Sequence, residues 1–377
     1  MSKAGPPPLR QPVKPAKPEA WHRRLFQTAA AKPIEHREPE AGHVTLPVLP
    51  EAAPPAQELA APPASPPPAP PRLFEFVEME TVSAVMDHVA RLRADPNLNP
   101  ADVHRAISRL QLRPPPVAER MRQTDPFSPA YAEMAMDLMR ELRGGREYLP
   151  ERDELIGHTM QDRDLWSGLS PYDFRDASML SEFFEAYAAM LREVGAPSGA
   201  RVLEYGPGSG QFLLTLARIG YQCHAVDIEA EYLWLIQRQA KEMGLDVRCE
   251  HAVFGAGFEG ETFDLIFFFE ALHHAPDFLN LLRGLRGRLN PGGRLLLCGE
   301  PILPSGLDYG PLPYPWGPRL DALSIVAIQS GWMELGFQLD FLLKALAHTG
   351  WYAKLVAHPT TGRAHLVACR VGPDPQS

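Results

Sequence analysis

Four cysteines in 377 residues, none in a CxxC pair, leave little material for a disulfide framework or a thiolate metal site. Cys223, Cys249, Cys298 and Cys369 each fall in a short apolar stretch, where a buried free thiol in a reducing compartment is expected. Long apolar runs are missing as well. No segment approaches the ~18 apolar residues of a membrane span, and the opening "MSKAGPPPLRQP" lacks the apolar core of a secretory signal. A cytoplasmic protein with no membrane span is therefore expected. A basic excess is absent too. The formal net charge of −9 argues against nucleic acid or an anionic membrane surface as a partner, because binding either depends on basic groups that displace counterions. The first forty residues are locally basic, around "WHRRLF", and could dock on a protein partner; a solvated tail is the preferred reading.

Proline, by contrast, is abundant. Of 41 prolines, roughly half precede Arg72, in runs such as "EAAPPAQELAAPPASPPPAPPR". Proline and alanine offer too little apolar surface to offset the entropy of ordering a backbone, so residues 1–72 are expected to be a disordered tail. Residues 73–170 read as a helical extension. Two short helices flank "DPNLNP", "RPPP" breaks the pattern, and "SPAYAEMAMDLMRELRGG" opens on a capping serine with proline and closes on paired glycines.

From residue 171 to 371, helices and apolar strands alternate, which predicts a doubly wound α/β domain. Strands are expected at "RVLEYG", "YQCHAVD", "DVRCEHAV", "FDLIFFF" and "RLLLCGEP". "WYAKLVAHP" and "AHLVACRV" follow, joined by only "TTGR". A parallel crossover needs a dozen or more residues, so these two must pair antiparallel. The expectation is a mostly parallel seven-stranded sheet with an antiparallel terminal hairpin, preceded by helices and the proline-rich tail.

The chemistry concentrates in "VLEYGPGSG". Gly206, Gly208 and Gly210 let the backbone turn sharply from strand to helix and approach a ligand closely. A pyrophosphate over that helix N-terminus would be repelled by Glu204, which disfavours a dinucleotide. A ligand with a protonated amine and a sulfonium but no phosphate would be attracted by it, and that description fits S-adenosylmethionine. Asp227 ends the second strand, where a carboxylate can accept hydrogen bonds from both hydroxyls of an unphosphorylated ribose. Its plainer reading is a helix cap for "IEAEYLWL".

Taken together, "VLEYGPGSG", Asp227, "FDLIFFFEALHHAPD" and "LNPGGRLLLCGEP" resemble the class I S-adenosylmethionine-dependent methyltransferases over about residues 200–371. The resemblance implies a cofactor site at Glu204, Tyr205, Gly206, Gly208, Gly210, Asp227, Ile228, Ala252 and Val253. Ala252 stands where relatives often carry an acid that contacts the adenine amine, so adenine would be met here by backbone and by apolar packing from Val253 and Phe254. No "NPPY"-like tetrapeptide follows the fourth strand, so the chain does not resemble the enzymes that methylate amino groups of DNA bases or glutamine.

Methyl transfer is an in-line displacement that depends on holding the nucleophile close and aligned. For a hydroxyl acceptor a base would help, and Glu270, His273 and His274 lie at the ligand-facing edge of the sheet as candidates. A histidine pair in that turn can equally serve only to bond backbone groups. Glu300 with Glu270 and a histidine could form an oxygen and nitrogen metal site, but the ligand spacing is too sparse and no metal is expected. Residues 301–337 place Tyr309, Tyr314, Trp316 and Trp332 beside the site, either as a substrate lid or as packing against the N-terminal helices. The expected acceptor is a small molecule, a lipid intermediate or a glycan, methylated at oxygen before nitrogen. A catalytically silent cofactor-binding subunit that recruits a partner through its proline-rich arm is the alternative.

Overall fold

The computed structural model describes residues 76–157, 159–161, 177–357 and 361–372. The proline-rich tail lies outside the described residues, as does the expected boundary near residue 170.

The extension begins with a short strand β1 (Val77–Met79), helices Val82–Ala94 and Pro100–Ile107, and strand β2 (Leu110–Leu112), which pairs parallel with β1. These strands were not anticipated. Three residues are too few to show an alternating pattern, and the β2 residues are all buried. Helices Pro116–Gln123, Pro129–Leu142 and Pro150–Asp153 follow. The second of these matches its sequence signals: Ser128 Oγ accepts from the Tyr131 amide at 3.2 Å, Pro129 opens the helix, and Gly144 and Gly145 take left-handed conformations beyond its end. Tyr131, Ala135, Leu138, Met139 and Leu142 form its buried face at helical spacing.

After helix Ala177–Glu193 come β3 (Arg201–Tyr205), helix Gln211–Arg218, β4 (Gln222–Asp227), helix Ala230–Glu242, β5 (Val247–His251) and β6 (Phe263–Phe269). Helix Phe278–Leu285 leads into β7 (Leu289–Cys298). The main sheet closes with β11 (Trp351–Val356) and β12 (Leu366–Val371). Its order is β11-β12-β7-β6-β3-β4-β5; β12 runs antiparallel to both β7 and β11, and the other pairs are parallel. The seven strands and the antiparallel terminal pair are those expected. Strand β6 reads as an apolar run broken only by Asp264 because helices cover both faces of the sheet, leaving Phe263 and Leu265–Phe268 without exposure. Strand order reverses at β3, where the chain leaves to either side and a crevice opens at the strands' carboxyl ends.

Residues 301–337 build a second, three-stranded sheet: β8 (Ile302–Leu303), β9 (Trp316–Pro318) and β10 (Leu335–Gln338), with β10 central. Helix Ala322–Ser330 lies between β9 and β10, and helix Leu339–His348 follows β10. Tyr314 and Trp316 are buried, away from the crevice. The Tyr131 hydroxyl bonds the Trp316 carbonyl at 2.7 Å, the Trp316 indole donates to the Pro126 carbonyl at 2.9 Å, and the two rings lie 5.1 Å apart. Trp316 thus packs against the extension, while the Tyr314 hydroxyl bonds the Pro318 carbonyl; an indole N–H and a phenol buried with partners belong to a core. One apolar cluster joins Val85, Met121 and Leu138 of the extension to Leu203, Phe268 and Phe337, so the extension shares the core of the sheet domain.

Candidate active site

Strand β3 delivers Glu204 to the crevice and Tyr205 to the opposite face, as alternation along a strand requires. Tyr205 stacks on Phe268 at 5.3 Å and its hydroxyl accepts from Arg288 at 2.6 Å. Its side chain is therefore core, a correction to its expected place among the cofactor contacts. Gly206, Gly208 and Gly210 all have positive φ. A Cβ on Gly206 would stand 2.9 Å from that of Ala271, and one on Gly210 would strike Ile236. The turn thus needs glycine for conformation and for space.

Glu204 is 2 % exposed and its Oε2 has no hydrogen-bond partner among the described residues. Burial, reinforced by the neighbouring charge of Asp227, pushes its carboxyl well above the usual range. Asp227, 8 % exposed, is raised to about 7 by burial, against the pull of backbone amides at Glu229, Gly208 and Ile228. Its Oδ1 accepts from the Glu229 amide at 2.8 Å, so it also braces the start of the following helix. Both expectations for Asp227 are compatible with this position. Two buried acids side by side, one with an unsatisfied oxygen, form a site completed by hydrogen-bond donors and positive charge.

Ile228 and Val253 line the same cavity, joined by Phe254. Ala252 is not among the lining residues; its amide bonds the Asp227 carbonyl at 3.1 Å. The cavity, about 930 Å³, continues from Glu204 and Asp227 past Phe254 to His274, Trp332 and Glu334. Of the four aromatic residues anticipated near the acceptor, Trp332 alone is among its lining residues.

At the end of β6, Glu270 adopts φ +51 and forms an ion pair with Arg363. Arg363 also pairs with Glu182 at 3.2 Å and lies over the Phe183 ring. The following turn, Leu272–His274, closes over Glu300 from the end of β7. Glu300 accepts from the amides of Ala271, Leu272 and His273 at 3.2, 2.9 and 3.0 Å, and contacts His273 Nδ1 at 2.9 Å. Burial opposes its charge, but the bond to His273 and these amides prevail and its pKa is lowered. With Nδ1 so engaged, His273 directs Nε2 toward Glu334, 3.9 Å from Oε2.

The His274 ring lies 4.2 Å from that of His273, tilted by 38°, and its Nδ1 lies 3.4 Å from Glu154 Oε2, an ion-pair contact without the alignment of a hydrogen bond. Burial lowers its pKa, but Glu154, Glu334 and Glu300 outweigh that and bring it to about 9. Glu154 accepts from the Tyr148 hydroxyl at 2.8 Å and the Met333 amide at 2.6 Å. Burial and the adjacent Glu154 raise the Tyr148 phenol far above its ordinary value, keeping it a donor. Arg319 pairs with Glu334. Behind this group, buried Arg143 bonds Asp153 at 2.8 Å and the Gly331 carbonyl, tying the segments that carry Glu154 and Trp332. Among the described residues, one ring nitrogen each of His273 and His274 and one Glu334 oxygen lie within 4.8 Å of one another.

The sequence reading placed the histidines at the site but missed Glu154, Tyr148, Arg319 and Glu334. Each is distant from the motif turns, and a lone acid in a helical extension carries no local mark of its role.

Residues 175–303 match a family model described as a methyltransferase domain. A ubiquinone biosynthesis O-methyltransferase of Xanthomonas axonopodis pv. citri is 34 % identical over 103 residues, covering 27 % of this chain and 43 % of that protein. Its counterpart in Xanthomonas oryzae pv. oryzae is 32 % identical over 102 residues, covering 26 % and 43 %. The chain thus spans under half the length of these relatives. Among solved structures, a complex of DhpI with SAH is 22 % identical, covering 55 % of this chain and 92 % of that one, with a TM-score of 0.39. An S-adenosylmethionine-dependent methyltransferase from Clostridium acetobutylicum is 13 % identical, covering 50 % and 92 %, also with a TM-score of 0.39.

Proposed function

Because the chain carries a class I S-adenosylmethionine-dependent methyltransferase domain, we propose that the whole protein methylates an oxygen of a small-molecule acceptor held between that domain and the 301–337 segment. The Oε2 of buried Glu204, without a hydrogen-bond partner among the described residues, carries the reading. Its charge suits the amino and sulfonium groups of S-adenosylmethionine, and Asp227 suits the two ribose hydroxyls. Ile228, Val253 and Phe254 offer apolar wall for the adenine. When bound, the cofactor supplies an electrophilic methyl group.

The protein's own work is to align the acceptor and to dispose of its proton. Trp332 and Phe254 present aromatic surface to a planar or sugar ring. Glu270, paired with Arg363, holds the shape of the β6 end, which leaves proton handling to the His273 and His274 turn with its carboxylates. Oxygen is favoured over nitrogen by that surplus of acceptors for a hydroxyl proton, and by the O-methyltransferase names of the relatives. The expected acceptor is a hydroxylated small molecule; lipid intermediates and glycans remain within that class.

The test is incubation of the full chain with methyl-labelled S-adenosylmethionine and fractionated small-molecule extract. Label should enter a small-molecule fraction and survive mild alkali, as an ether does. Label that reaches no fraction, or only protein or nucleic acid, would contradict the proposal.

A further inference from the structure

The histidine and carboxylate group at the acceptor end has an organisation that proton transfer alone does not require. We propose that His273, His274 and Glu334 bind a divalent first-row transition metal ion, which holds the acceptor hydroxyl; this rests on the function proposed above and assigns that site its cation.

Three observations converge on it. One nitrogen from each imidazole and one Glu334 oxygen lie within 4.8 Å of one another, so small side-chain movements bring all three onto one ion. All three side chains are largely buried, so their geometry is set by the fold. His273 also has the arrangement that ligating histidines use, with the second ring nitrogen fixed by a carboxylate. Glu300 takes His273 Nδ1 at 2.9 Å and is itself anchored by three backbone amides, which leaves Nε2 aimed at Glu334. Glu154 stands 3.4 Å from His274 Nδ1 and is oriented by Tyr148 and Met333. Glu334 is oriented in turn by Arg319.

Two imidazoles and a carboxylate suit Zn²⁺, Fe²⁺, Mn²⁺ or Co²⁺ better than Mg²⁺ or Ca²⁺, which prefer oxygen throughout. Three protein ligands leave positions open, as in catalytic metal sites. His273, His274 and Glu334 all line the cavity that holds Glu204 and Asp227, so those positions face the acceptor. A hydroxyl bound there loses its proton to solvent water more readily, because the cation stabilises the oxyanion. The oxyanion then forms the new O–C bond as the S–C bond breaks, and sulfur keeps the electron pair as a neutral thioether.

The experiment uses the full chain, stripped with chelator and dialysed, then titrated with Co²⁺ alone while its visible absorption is followed. One ion per chain should bind with micromolar or tighter affinity and the visible spectrum of a mixed nitrogen and oxygen site. Glu334→Gln and His273→Ala should each weaken it by roughly a hundredfold or more. Glu300→Gln, which alters the support of His273 and of its turn without removing a ligand, should weaken it ~10–100-fold. S-adenosylhomocysteine titrations of the same samples report the fold and the cofactor end, and should stay within about threefold of wild type. Absence of saturable Co²⁺ binding, or binding unchanged in Glu334→Gln while S-adenosylhomocysteine still binds, would overturn the metal site alone. Failure of wild-type protein to bind S-adenosylhomocysteine would instead overturn the functional reading beneath it.

Discussion

The end of the cavity proposed for the cofactor and the end proposed for the acceptor are assembled in different ways. Glu204, the glycine turn and Asp227 come from a single run of strand, turn, helix and strand, and their burial leaves an acid oxygen unsatisfied. His273 and His274, Glu300, Glu334 with Arg319, and Glu154 with Tyr148 come from separate parts of the chain, and these groups largely satisfy one another. The first end is a local device whose ligand can be inferred from its chemistry. The second exists only where residues of the extension and of the 301–337 segment meet the histidine turn.

If the ends are separable, His273→Ala should lower turnover ~10²–10⁴-fold while calorimetry finds cofactor affinity nearly unchanged; equal losses in both would mean that the division is false. Next in size is the clamp behind the acceptor end. Arg143→Met removes the bonds to the Gly331 carbonyl and to Asp153, which keeps its ion pair with Arg152, and should cost about 1–3 kcal/mol in denaturant unfolding. At temperatures where the variant remains folded, it should raise KM for the acceptor more than Kd for the cofactor. Glu204→Gln keeps the shape and removes the charge; S-adenosylmethionine binding should weaken ~10–100-fold, in line with the loss of a charge-assisted hydrogen bond.

The smallest effect expected is one of pH. In the free protein the Asp227 carboxyl is raised to about 7, so below that pH it carries a proton that a donor-rich cation must displace. Through this group, affinity for S-adenosylmethionine should rise from pH 6 to pH 8, by at most about tenfold per unit. The same group contributes to stability with the opposite sign. Without ligand the folded chain binds this proton more tightly than the unfolded chain, so its contribution is present below the ordinary Asp pKa and is lost as pH rises through about 7. Cofactor affinity that falls with rising pH over the same range would contradict the local device.

This division also explains what could be read from the residues beforehand. The sheet, its terminal hairpin, the glycine turn and its two acids are specified by patterns a few residues long: alternation of helices and apolar strands, a short connection, glycines where φ is positive. Tyr205 was misplaced because a motif names neighbours, whereas a strand sends adjacent side chains to opposite faces. Strands β1, β2, β8 and β9 are shorter than any periodicity, and pairing across distant segments creates them. Tyr314 and Trp316 offered aromatic rings beside the site, but Tyr131 and Pro126 of the extension provide the hydrogen-bond partners that draw Trp316 into the core. Nothing adjacent to Glu154 signals that it will face His274, since that contact depends on Arg143 and Gly331 meeting.

The central claim is that buried Glu204 and Asp227 select a positively charged nucleoside without phosphates. Its most direct test is calorimetric titration of the full chain with S-adenosylmethionine and, separately, with NAD⁺ at pH 7, in two buffers of different ionisation enthalpy. The account expects one S-adenosylmethionine per chain, bound with release of a proton, and no saturable heat from NAD⁺. Saturable binding of NAD⁺ that Glu204→Gln strengthens, with no response to S-adenosylmethionine, would contradict it.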